Sequence, residues 1–307
     1  MQRRSFLQTM TALGAAAGLP LSARAAGKYD PAANYQLNVT EVPFRKNSAG
    51  RQLMARIYQP VSSKSGAGPF PTLLDLHGGA WQRKDRKAEE PMDRAIAASG
   101  VLVVAIDMTL SGEAPYPACI QDASYGLRWL KAHAREWQGD PSTLGIYGSS
   151  SGGHVAELIA MRPNDARYNV LPHAGDTTVA YVATRSPISD PFARWQQAER
   201  KPNENLVKAS KTFFQPWEAI HEGNPQAILE RKEKVVLRPL LIMQGALDDN
   251  VLPAVQEKFA KTYRAAGGDV QYELFANSVH EWVAEPGPQT TRAHEMVKAF
   301  IARQLGA

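Results

Sequence analysis

Leu144-Gly145-Ile146-Tyr147-Gly148-Ser149-Ser150-Ser151-Gly152-Gly153-His154 decides how the rest of this sequence is read. The apolar run 144–147 feeds without a linker into Gly148-Ser149-Ser150-Ser151-Gly152, which has the form G-x-S-x-G centred on Ser150. An amphipathic helical segment follows over 151–161. So short a pattern recurs by chance, and a flexible serine–glycine loop is the alternative reading. Strand, tight turn and helix in succession are what single it out as a strained turn that presents a serine above a sheet. Glycines flank it because the backbone at the serine is strained and side chains beside it would collide with neighbouring elements. The helix N-terminus that follows favours negative charge developing near the hydroxyl. Ser149 and Ser151 compete with Ser150 only if the turn is displaced by one residue.

A serine hydroxyl is a poor nucleophile until a base takes its proton and an acid orients that base. The turn therefore calls for an Asp or Glu and then a His downstream, each just past a strand. The run 240–244 leads into Gly245-Ala246-Leu247-Asp248-Asp249, which places Asp248 on a loop and leaves Asp249 as the competing acid. The run ending Glu273-Leu274-Phe275 leads into Ala276-Asn277-Ser278-Val279-His280, and of the seven histidines only His280 holds that position. Donors for an oxyanion are expected after the strand 71–77. There His77-Gly78-Gly79-Ala80-Trp81 offers the backbone N–H groups of Gly79 and Ala80 to join that of Ser151. His77 reads as a hydrogen-bonder supporting this loop. Trp81 reads as a substrate-pocket wall or as packing.

Around these motifs short apolar runs alternate with amphipathic segments. Strands are expected over 52–58, 71–77, 101–107, 143–147, 178–184, 239–244 and 270–275. Helices are expected over 91–98, 119–135, 151–161, 254–266 and 290–304, the fourth stopped by Gly267-Gly268. The alternation implies an α/β fold with a mostly parallel central sheet flanked by helices. Residues 164–238 break the rhythm, and about 185–235 of them read as a helical cap insertion. Its aromatics, Phe192, Trp195, Phe213, Phe214 and Trp217, suit a hydrophobic or aromatic substrate group or plain packing. Trp195 is the substrate contact expected from this set. Lys201, Lys208 and Lys211 read as a solvated face, and 62–68 as a low-complexity surface loop.

The 307 residues allow one large domain or two small ones, and 44% hydrophobic with 21% charged residues excludes wholesale disorder. One cysteine, Cys119, excludes an internal disulfide and any multi-thiolate metal site. The formal charge of +5 includes Arg3, Arg4 and Arg24; without them it is +2, which gives no electrostatic case for nucleic acid. Residues 1–25 read as an address. A basic start precedes a weakly apolar run too short to span a bilayer, then Ala23-Arg24-Ala25 in the form of a signal-peptidase site. Arg3-Arg4-Ser5-Phe6-Leu7-Gln8 resembles the bacterial twin-arginine signal, with Gln8 as a departure. The expectation is a periplasmic or secreted, membrane-free single domain over 26–307.

Taken together, the motifs resemble an α/β-hydrolase of the hormone-sensitive-lipase-like group of bacterial carboxylesterases. Its HGGG loop is matched by His77-Gly78-Gly79-Ala80, and its GDSAGG turn by Gly148-Ser149-Ser150-Ser151-Gly152-Gly153. Its DYRLAPE-x-PFPA block resembles residues 107–118, which keep Asp107, Leu110, Glu113, Pro115, Pro117 and Ala118 but lose the Tyr-Arg pair. HGG-x-W and that loss look closer to the branch of feruloyl-type esterases and arylformamidases. The resemblance implies Ser150, His280 and Asp248 as a triad hydrolysing short-chain or aromatic esters through an acyl-enzyme, with no metal or organic cofactor. It implies supporting roles for Glu113 and Asp122. Cleavage of an aryl formamide or other acyl bond is the competing activity, and a non-catalytic binding protein on the same fold is the third reading.

Overall fold

The computed structural model describes residues 29–61, 68–201 and 203–306. The export segment expected over 1–25, and all but the last residue of the loop 62–68, lie outside them. Eight strands form one sheet: β1 (Gln36–Lys46), β2 (Gln52–Val61), β3 (Phe70–Leu76), β4 (Leu102–Ile106), β5 (Gly139–Ser149), β6 (Val182–Arg185), β7 (Leu240–Gly245) and β8 (Val270–Phe275). Their order is β1-β2-β4-β3-β5-β6-β7-β8. β2 runs antiparallel to both neighbours and every other pairing is parallel. Parallel strands need crossovers, supplied in part by α1 (Glu90–Ala98), α2 (Ala118–His133), α3 (Ser151–Met161) and α8 (Pro253–Ala265), and α9 (Pro288–Gln304) follows the last strand.

The sheet is covered on both faces, and alternation along each strand divides the core in two. Leu74, Leu76 and Ile106 pack with Ile120 and Leu127 of α2 and Val155 of α3. Leu73, Val103 and Ala105 pack on the other face with Ile96 of α1 and Val297 and Phe300 of α9. β3 and β4 are buried along their full length, which is why they read as continuous apolar runs. β1 is absent from the strands expected. It is an edge strand, half exposed, with Pro43 beside an irregularity in its pairing, a position that tolerates proline. In 178–184 only the last three residues belong to a strand, one that ends at Arg185, although the Ala180 N–H already donates to Leu144 O and Tyr181 O accepts from the Ile146 N–H.

Gly267 ends α8 as expected. It lies at φ +94°, its N–H donates to Arg264 O, and the Gly268 N–H donates to Tyr263 O at 3.0 Å. Between β6 and β7 the chain builds α4 (Pro191–Arg200), α5 (Glu204–Phe213), α6 (Ala219–Glu222) and α7 (Pro225–Glu230). Side chains of Asp190, Asn203 and Asn224 accept from the first turns of α4, α5 and α7. Asp190-Pro191 and Asn224-Pro225 are thus helix starts written in the sequence, each cap worth about 1 kcal/mol. No helix among the described residues is long and apolar enough to cross a membrane.

Candidate active site

Ser150 stands between β5 and α3 at φ 51°, ψ −116°, a strained region for a residue with a Cβ. Close approach makes the turn possible. A Cβ on Gly152 would lie 1.9 Å from Leu76 O, so only glycine lets α3 start against the end of β3. The neighbouring serines are otherwise engaged. Ser149 Oγ donates to Glu89, and Ser151 Oγ accepts from the Trp81 N–H at 3.2 Å.

The loop after β3 passes beside this turn. Gly79, Ala80 and Trp81 all have positive φ, and a Cβ on Gly79 would lie 2.0 Å from Arg83 O. The N–H groups of Gly79 and Ala80 find no backbone or side-chain acceptor among the described residues, and the Ser151 N–H is at the open first turn of α3. His77 holds the loop from beneath. Its Nδ1–H donates to Gly78 O at 2.8 Å, and Nε2 accepts from the Met108 N–H. Burial lowers its pKa, which suits that neutral form. The 107–118 block fixes the loop's outer side. The Ser111 N–H donates to Trp81 O, Glu113 pairs with Arg51, and Asp122 accepts from the Thr109 N–H.

Three residues separated by 98 and 32 positions meet at one point. Ser150 Oγ lies 2.9 Å from His280 Nε2, and His280 Nδ1 lies 2.8 Å from Asp248 Oδ2. Asp248 also accepts from Gln244 Nε2 and from the N–H groups of Asn250 and Val251, while Asp249 points outward and is exposed. Burial opposes the charge on Asp248, but the bond and charge of His280, with Val251 and Ser186, outweigh it and lower its pKa. Asp248 is therefore ionised and fixes the proton of His280 on Nδ1. Burial lowers the His280 pKa against the pull of Asp248, and Arg185 and Arg194 push the same way, leaving Nε2 free to accept.

Several residues of this neighbourhood carry no signal in the sequence. Arg185, at the end of β6, donates from Nη1 to the His280 carbonyl and from Nη2 to Glu89 at 3.3 Å. His154, on α3, donates from Nε2 to Gly223 O at 2.7 Å and accepts from Trp81 Nε1 at 3.3 Å. Burial lowers its pKa to about 4, so it is a neutral tie between α3, the loop after β3 and the insertion.

A cavity of about 480 Å³ opens over His280, lined by Gly79, Ala80, Arg83 and Leu206 among others. Neither Trp81 nor Trp195 lines it. Trp81 is buried, stacked at 4.5 Å on Phe213 and edge-on to Phe214, while Trp195 packs with Phe192 and Trp217. The aromatics expected at the substrate are thus spent on holding the insertion to the sheet, because flat rings bury most area against each other. Lys201, Lys208 and Lys211 are exposed. Among the described residues no group of His, Cys, Asp or Glu is arranged to hold a metal ion.

Comparison with known proteins bears on the fold and the family of this chain. The probable carboxylic ester hydrolase LipM of Mycobacterium tuberculosis is 35% identical over 132 residues, 43% of this chain and 30% of that protein. The carboxylic ester hydrolase LipN of the same organism is 30% identical over 259 residues, 81% of this chain and 65% of its own length. The chain therefore spans less than two thirds of the length of either relative. Among solved structures, the carboxylesterase EstE1, cloned from a metagenomic library, superposes with a TM-score of 0.70 at 21% identity, covering 88% of this chain and 91% of that one. That likeness is one of fold, the α/β-hydrolase fold. The BD-FAE family model matches residues 56–263, which run from β2 to α8 and include the loop after β3, the Ser150 turn and Asp248. By that match over more than half its length, the chain belongs to the BD-FAE family.

Proposed function

We propose that this protein is a serine-dependent carboxylic-ester hydrolase with Ser150 as nucleophile, His280 as base and Asp248 as the acid that orients it. The observation that carries this reading is the unbroken hydrogen-bond chain from Ser150 Oγ through both nitrogens of His280 to Asp248.

In the first half-reaction His280 Nε2 takes the Ser150 proton as Oγ attacks the ester carbonyl carbon. The carbonyl oxygen becomes an oxyanion facing the N–H groups of Gly79, Ala80 and Ser151, each such donor worth about 3 kcal/mol in related sites. The imidazolium, held by Asp248, gives its proton to the leaving alcohol oxygen as the C–O bond breaks. An acyl ester remains on Ser150. In the second half, water loses a proton to His280 as its oxygen attacks the acyl carbon. His280 returns that proton to Ser150 Oγ, and the carboxylic acid departs.

The test is hydrolysis of p-nitrophenyl esters from acetate to laurate, with an aryl formamide and methyl ferulate alongside, by wild type and Ser150→Ala. Ester turnover lost in the variant, with fluorophosphonate labelling of wild type alone, is the expected result. A folded wild type that turns over no ester and takes no label overturns it, and preference for the formamide moves the activity to that acyl bond. The Arg3-Arg4 start supports export of the folded protein. Recovery of the full-length chain, uncleaved, from the cytoplasm alone would contradict that.

A further inference from the structure

Arg194, on α4 of the insertion, is a charge that the reaction above does not use. It is 3% exposed, its Nε donates to Asn250 Oδ1 at 2.9 Å, and its carbon Cζ lies 5.7 Å over the Trp81 ring. Nη1 and Nη2 are buried and reach no acceptor among the described residues. A guanidinium out of water without an anion is costly, and it is usually paired. The nearest carboxylates do not supply the pair: Asp248 is committed to His280, and Asp249 is exposed and makes no bond to Arg194.

The position is suggestive as well as the charge. Arg194 lines a cavity of about 520 Å³ with Asn203, Leu206, Asp249 and Asn250. Those same four residues also line the cavity over His280, Gly79 and Ala80, so the two spaces share a wall. Arg200 and Lys201 add positive charge to the outer cavity.

We propose that Arg194 determines specificity by receiving a carboxylate carried by the substrate, so that the preferred esters are acidic ones, such as half-esters of short dicarboxylic acids. The inference rests on the esterase reading. Nη1 and Nη2 are closed to solvent here, so the carboxylate is received as the Arg194 side chain turns toward the cavity; it then accepts two parallel bonds, satisfies both nitrogens, and fixes where the ester carbonyl lies relative to Ser150. It also neutralises a positive charge that otherwise opposes formation of the His280 imidazolium.

The experiment compares matched esters with wild type, Arg194→Met and Arg194→Lys. On the acyl side the pair is mono-p-nitrophenyl glutarate against p-nitrophenyl valerate. On the alcohol side it is the butyrate ester of 4-hydroxybutanoate against butyl butyrate, followed by proton release. Wild type should prefer the anionic member of at least one pair in kcat/KM by on the order of tenfold to a hundredfold. Arg194→Met should bring that ratio to parity or below, with Arg194→Lys between. A purely structural Arg194 would slow both members alike and leave the ratio unmoved, which overturns the proposal, as does wild-type preference for the neutral member of both pairs. If Arg194→Met does not fold, Arg194→Lys and the wild-type ratio still decide. If no ester is turned over, the esterase reading falls. Calorimetry then decides this one: monomethyl glutarate but not the neutral methyl valerate should bind wild type, and binding should weaken in Arg194→Met.

Discussion

Arg185 Nη1 donates to the carbonyl oxygen of His280 at 2.5 Å, while its Nη2 reaches Glu89 at 3.3 Å. One buried guanidinium thus ties the loop carrying the base to the end of β6, the strand beside the Ser150 strand. Burial opposes the charge on Arg185, but Glu89 and its neighbours outweigh this and raise its pKa. Arg185→Met leaves Glu89 buried without its partner and frees the His280 loop. Destabilisation on the order of 3–5 kcal/mol is expected, with slower fluorophosphonate labelling of Ser150. Unchanged melting and labelling would remove Arg185 from any positioning role.

Gly79→Ala tests the oxyanion-side loop. Gly79 lies at φ +106°, and an added methyl would meet Arg83 O at 2.0 Å, so the loop must shift. If its N–H receives the oxyanion, kcat should fall by about 10²–10³-fold with a smaller change in KM. A kcat within twofold of wild type would place the oxyanion elsewhere.

The pH profile of kcat/KM follows from His280. The base must be neutral, and burial, with Arg185 and Arg194, holds its pKa below the ordinary value. Activity should therefore rise through a single acid limb with its midpoint below about 6.5 and be level through neutrality. A midpoint above 7 would mean that His280 is not the titrating base, or that its surroundings favour the imidazolium.

Two further carboxyls should make stability fall as pH rises. Asp75 on β3 and Asp93 on α1 are fully buried, and their side-chain oxygens have no hydrogen-bond partner among the described residues. Burial raises both pKa values, Glu89 raises Asp75 further, and Asp75 raises Asp93. Unfolded, they titrate near 3.9; folded, they hold their protons to higher pH. The folded state binds more protons over that window, so stability declines as pH rises through it. Asp75→Asn and Asp93→Asn should each flatten the fall in Tm between pH 5 and pH 8. An identical slope in both variants and wild type would show that neither carboxyl holds its proton.

Much of the sheet was legible because its central strands are apolar on both faces and its helices follow at regular spacing. β1 was less so, since an edge strand half in water alternates only weakly and carries Pro43. The insertion resisted reading for another reason. Its helices are short, and their hydrophobic faces answer to Trp81 and His154 on other elements, not to a sheet rhythm of their own. The cues present there, Asp190-Pro191 and Asn224-Pro225, mark where helices begin but not what they cover.

What the sequence alone determined is local: a serine on a glycine-flanked turn between strand and helix, glycines where another backbone passes, and an acid and a histidine each just beyond a strand. Those features are carried by residue types in a fixed order along the chain, so the sequence displays them even where, as at Gly152, the contact that requires them is with a distant strand. Tertiary structure decided what depends on distance in space. It brought Asp248 rather than Asp249 to His280, set Trp81 and Trp195 to packing, joined Arg185 to Glu89 across 96 positions, and left the inner end of Arg194 without a partner among the described residues. A charge declares its role only through what it meets, and the meeting exists only once the chain has folded.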